Sequence, residues 1–441
     1  MNYWAVEKHC PLIKIIRSYE HSFSQTNISI QNIDTLEIPC LPITFTTQTD
    51  SNFSNFLHFS LCKGHLILST FKEDGWMIFN IQQIGYYRVN YDDENWRRIL
   101  YYLNSDNYTK IHVLNRAQIV DDAFHLMIAG ELKFIIFIDV ISYLHREEDY
   151  IAWYPMFKAL EYIFSTFSVA MMQVKMWTFK NYINHALNEV LKRIKYEEID
   201  DSDDLRKCLR QEAARWACFF GDFECKTEAN NKLVQHLQNS IKHKLLPWWK
   251  EWTYCNGFMI INEKITWQSV YDVGLNKSDT KFLEYLACSE DTDVINNYLN
   301  NLIYYYQYNY RKDYQYLFNS LFYINIITKH AKNQITLQYI LNNFQKIKPS
   351  SDMIPAVFII IINNVYFVDQ TELIKEYVET WYTTFAGTFH KMNNTEDLLK
   401  KYQLKDSIIE NLDKIKSKVL IRKKQIKRET QYFENFFLIG G

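Results

Sequence analysis

The spacing of apolar residues changes character once along this chain, near Asp92, and that change constrains the fold more than any other feature. Before it, residues 12–17, 27–30, 43–47, 66–69 and 76–81 form short runs rich in β-branched and aromatic side chains, separated by Ser, Asn, Asp and Gly clusters. Such runs are strands. Several of them in succession, with no helical period between, predict a small antiparallel β-sandwich over residues 1–91.

After Asp92 the period is helical. Val113, Ala117, Val120, Phe124 and Met127 recur at alternating steps of four and three, and Gly130 stands where a left-handed C-terminal cap belongs. Similar spacing predicts helices over residues 150–167, 171–193, 205–219, 228–241, 281–286, 294–306, 335–347, 370–385 and 407–437. Ten Gly and seven Pro in 441 residues fall far below the roughly 7% and 5% of average usage, so tight turns are few and long helices are favoured. Helices without intervening strands bury their apolar stripes only on one another. The fold class is therefore multidomain α+β: the sandwich, then a large all-α, HEAT-like irregular helical solenoid over residues 92–441, with no strict sequence repeat.

A formal net charge of −2 argues against nucleic acid as the main partner, because neutralising phosphates requires a cationic excess. No window approaches the roughly 20 apolar residues of a transmembrane helix; the longest clean run, residues 356–362, reads as a core element. The N-terminus lacks the basic start and apolar stretch of a secretory signal. Five glycosylation sequons, at Asn27, Asn52, Asn107, Asn276 and Asn393, point weakly the other way. The basic run over residues 414–428, interrupted by Ile415, Val419 and Ile426, reads as a terminal helix with an inward apolar stripe.

Residues that would carry catalysis are missing. A zinc hydrolase needs two His one helical turn apart with a Glu between them, and none of the twelve His are four apart. His58 and His65, like His236 and His243, are seven apart, about 10 Å along a helix and too far to share an ion. There is no nucleophile elbow and no phosphate loop. The acidic runs at residues 147–149 and 200–204 lack the alternation and central Gly of a calcium loop and read as solvated.

The segment from Trp76 to Asp92, with Gly85-Tyr86-Tyr87-Arg88-Val89-Asn90-Tyr91 at its centre, closely resembles the junction in aminopeptidase N-like zinc aminopeptidases where the β-sandwich domain meets the C-terminal helical domain. Val113-Leu114-Asn115-Arg116-Ala117-Gln118, with Asp121-Asp122-Ala123-Phe124, resembles the first long helix of that domain, and Trp153-Tyr154-Pro155 continues the likeness. Arg215-Trp216-Ala217-Cys218 through Cys225 is similar to a segment whose two cysteines are paired in the family, and Tyr254-Cys255 with Leu286-Ala287-Cys288 resembles a second such pair. The resemblance thus implies structural disulfides at Cys218, Cys225, Cys255 and Cys288. Cys10, Cys40, Cys62 and Cys208 fall outside the pattern and are expected to be buried or free thiols, a Cys10–Cys40 bridge being the leading exception.

The resemblance implies a helical domain that walls the peptide chamber of a zinc aminopeptidase and can mediate homodimerisation. It equally exposes a deficit: neither the Gly-Ala-Met-Glu-Asn exopeptidase motif nor the HExxH zinc site of the family occurs in these residues. The chain is expected to start at the end of the catalytic domain, to hold no cofactor of its own unless a catalytic half supplies zinc, and to have no peptidase activity by itself. Peptides, a second copy or a separate catalytic half are the expected partners. The alternative is a stand-alone peptide- or protein-binding scaffold, a pseudo-peptidase. Arg88, Arg116, Asp121 and Asp122 are the charges nearest the proposed junction; a structural ion pair is the leading reading, and a substrate contact the sharper one. Family-like disulfides and sequons suggest an extracellular or lumenal address, although no signal peptide is visible.

Overall fold

The computed structural model describes residues 10–19, 23–31, 40–54, 56–62, 64–71, 74–166, 177–197, 203–259, 268–273, 281–289, 291–308, 313–347, 354–389 and 398–438. The predicted helical start at residues 171–176, the acids at 200–202 and the sequons at Asn276 and Asn393 lie outside them. The chain divides into two compact units, residues 1–220 with 433–441, and residues 221–432.

The first unit opens with seven strands: β1 (Leu12–Arg17), β2 (Phe23–Gln31), β3 (Leu41–Thr47), β4 (Leu57–Leu61), β5 (His65–Phe71), β6 (Met77–Phe79) and β7 (Arg88–Tyr91). They form a four-stranded sheet in the order β5-β2-β1-β7 and a three-stranded sheet in the order β4-β3-β6. Ile13, Ile15, Ile28, Ile43, Ile78, Phe79 and Val89 are fully buried among them. Every pairing is antiparallel except β1 with β7, which is parallel. A parallel neighbour cannot be reached by a tight hairpin, so this pairing leaves no local turn signal.

Cys40 and Cys62 correct the thiol reading. Leu41 is the register partner of Leu61, so the residues just beyond that pair face each other, with Cα atoms 3.9 Å apart and a disulfide between them. The expected Cys10–Cys40 exception fails with it. Cys10 and Cys208 are the free cysteines. Cys218, Cys225, Cys255 and Cys288 are all disulfide-bonded.

Asp92 turns strand into helix. Its carboxylate accepts the Asn95 amide at 2.9 Å and so caps α1 (Asp93–Leu103). The next helices are α2 (Val113–Ala129), α3 (Phe134–Ser142) and α4 (Tyr150–Thr166). Gly130 closes α2 at φ +75°, a conformation that an L side chain adopts only with strain. Phe124 of α2 meets Phe137 of α3 and Tyr162 of α4, each with ring centroids 5.8 Å apart.

The second unit has helices at Phe223–Gln238, Pro247–Gly257, Lys281–Leu286, Thr292–Tyr308, Asp313–His330, Gln334–Asn342, Ile354–Asn363, Val368–Phe389 and within Leu398–Leu438. Its core is apolar and aromatic: Phe344 stacks on Phe358 at 4.6 Å and meets Trp381 at 6.1 Å. Gly257 permits a close helix crossing, since a Cβ there would lie 2.8 Å from Leu233 Cδ2 and 3.0 Å from the Ala229 carbonyl oxygen. In the basic run, Ile415, Val419, Arg422 and Ile426 all face inward. Arg422 donates to the Val365 carbonyl through Nε and Nη2, at 3.0 and 2.9 Å.

Candidate functional site at the sandwich–helix junction

Three of the four charges singled out by sequence, Arg88, Asp121 and Asp122, converge where β7 meets α2, inside the first unit. The connection from β6 to β7 is a tight loop in which Asn80, Gln82 and Gln83 all adopt positive φ, between 54° and 58°. Non-glycine residues there cost about 1 kcal/mol each, so the surroundings must enforce the conformation. The buried Asn80 side chain does part of this: its amide donates to the Gly85 and Tyr87 carbonyls and its oxygen accepts the Gly85 amide. Helix α2 supplies the rest. Asn115 Oδ1 accepts the Gln82 amide at 2.9 Å, while Asn115 Nδ2 donates to the Asn80 carbonyl at 3.1 Å.

One turn further along α2, Gln118 and Asp122 reach the strands. Gln118 Nε2 donates to the Phe79 carbonyl at 3.3 Å and to Asp122 Oδ2 at 3.1 Å. Asp122 Oδ2 also accepts the Val89 amide at 3.1 Å, which satisfies a donor of edge strand β7. Arg88 Nη1 lies 2.5 Å from Asp121 and 3.2 Å from Asp122. Burial pushes the Asp122 carboxyl up to about 7, Asp121 adds to the rise, and Arg88, closer to Asp121, offsets it only in part. Burial works against the Arg88 charge, but Asp121 and Asp122 outweigh it and raise its pKa. Burial likewise pushes the Cys10 thiol up to about 11, Arg88 opposing, so this thiol is not an activated nucleophile.

Arg116 is not part of that group. It turns to Glu147, with Nε 2.7 Å from Oε2 and Nη2 3.2 Å from Oε1, and Nη1 donates to the Ile111 carbonyl at 2.6 Å. Glu147 is 1% exposed, which corrects the solvated reading of the acidic run at this residue. Its carboxylate also accepts the Asp149 amide, and its carbonyl accepts from Trp153 Nε1. Arg116 further sits over the Tyr108 ring at 5.4 Å. Burial of Arg116 is outweighed by Glu147, which raises its pKa.

At the far end of β6, α1 contributes a residue that sequence reasoning passed over. Asn95 Oδ1 accepts from Met77 N and from Arg17 Nη1, each at 2.9 Å, and Asn95 Nδ2 donates to the Met77 carbonyl at 2.8 Å. The only local signal for it is the Asp92 cap three residues earlier. Asn80, Asn115 and Gln118 were within the quoted motifs without roles of their own.

These groups position backbone and hold charge. A catalytic zinc requires three protein ligands, drawn from His, carboxylate and Cys, and an open position. Among the described residues no group of three or more His, Cys, Asp or Glu side chains could hold a metal ion, so the described residues do not fit one. His236, one of the paired histidines, spends Nδ1 on the His243 carbonyl at 2.7 Å. Among the described residues no helix is long and apolar enough to cross a membrane.

Comparison with known proteins matches this frame. The family model for the ERAP1-like C-terminal domain matches residues 76–417, beginning at Trp76 of the junction. Thyrotropin-releasing hormone-degrading ectoenzyme of Homo sapiens is 28% identical over 337 residues, covering 68% of this chain and 30% of that protein. Aminopeptidase N of Plutella xylostella is 27% identical over 306 residues, covering 66% of this chain and 32% of the relative. Aminopeptidase N of Homo sapiens is 28% identical over 233 residues, or 51% of this chain and 24% of the relative. The chain thus spans no more than about a third of the length of these curated relatives. With a family match over most of its length, and with the matched segment folded as a strand-to-helix junction, the chain belongs to the ERAP1-like C-terminal domain family, the C-terminal part of aminopeptidase N-like enzymes.

Proposed function

We propose that these 441 residues wall the peptide chamber of an aminopeptidase N-like zinc aminopeptidase and, taken by themselves, bind peptide without cutting it. The observation that carries this reading is the junction: a family-specific segment held in a strained conformation by Asn80, Asn115 and Gln118. Zinc and the general base belong on this reading to a catalytic half that this stretch of sequence does not encode, since HExxH is absent from it. Arg88 then serves chiefly to tie β7 to α2 through Asp121 and Asp122.

An oxidising compartment is part of the same proposal. Six cysteines are disulfide-bonded, and such bonds persist outside the reducing cytosol. Asn27, Asn52 and Asn107, the described sequons, are all exposed. The experiment is a fluorogenic aminoacyl amide assay on the purified chain with added zinc, alongside anisotropy of a labelled peptide. The reading expects saturable peptide binding and no chelator-sensitive turnover. Turnover abolished by chelator contradicts the catalytic half of the reading, and absence of binding contradicts the chamber half.

A further inference from the structure

In the second unit, three helices bring a lysine onto a disulfide. Cys255, near the end of Pro247–Gly257, is bonded to Cys288, just beyond Lys281–Leu286. Lys329, in the last turn of Asp313–His330, places Nζ 2.7 Å from Cys288 Sγ and 3.9 Å from Cys255 Sγ, and donates to the Glu284 carbonyl at 2.8 Å. Glu251 and Glu284 each precede one of the cysteines by four residues. Burial pulls the Lys329 pKa down and Lys332 acts the same way, while Glu251 and Glu284 favour the ammonium. The two residues differ in exposure: Cys288 is 6% exposed, and Cys255 is only half-buried.

We propose that Cys255 is a site of S-thiolation, at which a small thiol such as glutathione attacks Cys255 Sγ and Cys288 departs as a thiolate against the Lys329 ammonium. The bond from Cys255 to Cys288 breaks as the bond from glutathione sulfur to Cys255 forms. The electron pair of the broken bond goes to Cys288 Sγ, and the glutathione thiolate supplies the new one. A second glutathione thiolate attacking its own sulfur in the mixed disulfide releases the Cys255 thiolate and glutathione disulfide. Two arguments fix the direction. The sulfur of the more exposed residue is the one attacked, and the departing sulfur is the one nearer the cation, because an adjacent cation lowers thiol pKa and a thiol of lower pKa leaves faster. Independently of the disulfide, Tyr254 stacks on Tyr285 at 5.2 Å and meets Phe282 at 5.4 Å, a second contact between the same segments.

The test exposes the full chain briefly to reduced glutathione, alkylates it, and maps adducts by peptide mass spectrometry. The expected result is glutathione on Cys255 and alkylation of Cys288. Replacing Lys329 with Met is expected to slow Cys288 release roughly 3–10-fold, because the leaving thiol loses its adjacent cation and its pKa rises, whereas Lys329→Arg retains most of the rate. Adducts on Cys288, none on Cys255, or an unslowed Lys329→Met chain each overturn the proposal. The adduct position in the unsubstituted chain decides it even where Lys329→Met fails to fold.

Discussion

The junction of the first unit and the core of the second are held together by opposite means. At the junction, buried Asn80, Asn95, Asn115, Gln118, Asp122, Arg116 and Glu147 satisfy backbone groups and one another over distances of 2.6–3.3 Å. In the second unit, Phe344, Phe358, Trp381 and a field of Ile, Leu and Val do the packing. Apolar packing is non-directional and tolerates small shifts. A buried polar network holds only when every partner is in place. A strained strand-to-helix hand-over therefore needs the polar kind of cohesion, whereas a stack of helices rests mainly on the apolar kind.

The largest expected effect breaks the polar side of this comparison. Arg116→Met leaves the Glu147 carboxylate buried without its cation and should cost about 3–5 kcal/mol, measured by denaturant unfolding; adding Glu147→Leu should recover much of that loss. Phe358→Ala in the second unit should also cost about 3–5 kcal/mol, through a cavity, but no second substitution of charge can rescue it.

A titration sharpens the contrast next. The Asp122 carboxyl is raised from 3.8 to about 7 in the folded chain, so the folded state binds more protons than the unfolded state between those values. Stability from this group is fully present below about pH 4 and is lost as the pH rises through about 7, by up to about 4 kcal/mol. Asp122→Asn should flatten that slope in unfolding measurements between pH 4 and 8. Asn95→Ala, which strips partners from Met77 N and O, should cost about 2–3 kcal/mol. Smallest is Lys423→Ala in the second unit, which removes an ion pair to the half-exposed Glu372 and should change stability by less than about 1 kcal/mol.

Much of the architecture was legible because burial leaves a period. The helix over Val113–Ala129, its Gly130 cap, and β1, β3 and β5 follow from apolar spacing and β-branched runs in the sequence, although that helix and β3 are buried on more than one face. The helix Ile354–Asn363 sits in the unbroken run assigned to the core, where continuous apolarity hides any period. Strand β7 is four residues long and pairs with β1, more than seventy residues away in sequence, so nothing local marks it. Glu147 looked solvated within three consecutive acids because its partner, Arg116, is 31 residues away. Cys40 and Cys62 became a pair through strand register alone. A denatured, unreduced chain should accordingly titrate only the thiols of Cys10 and Cys208. For Lys329 one faint signal existed, the Glu four residues before each of Cys255 and Cys288.

Equilibrium dialysis of the purified chain against zinc, followed by elemental analysis, tests the central claim most directly. A chain that only encloses peptide should retain no stoichiometric zinc, because no described trio of ligands exists to hold it. One tightly held zinc per chain, bound with turnover of an aminoacyl amide, would contradict that account.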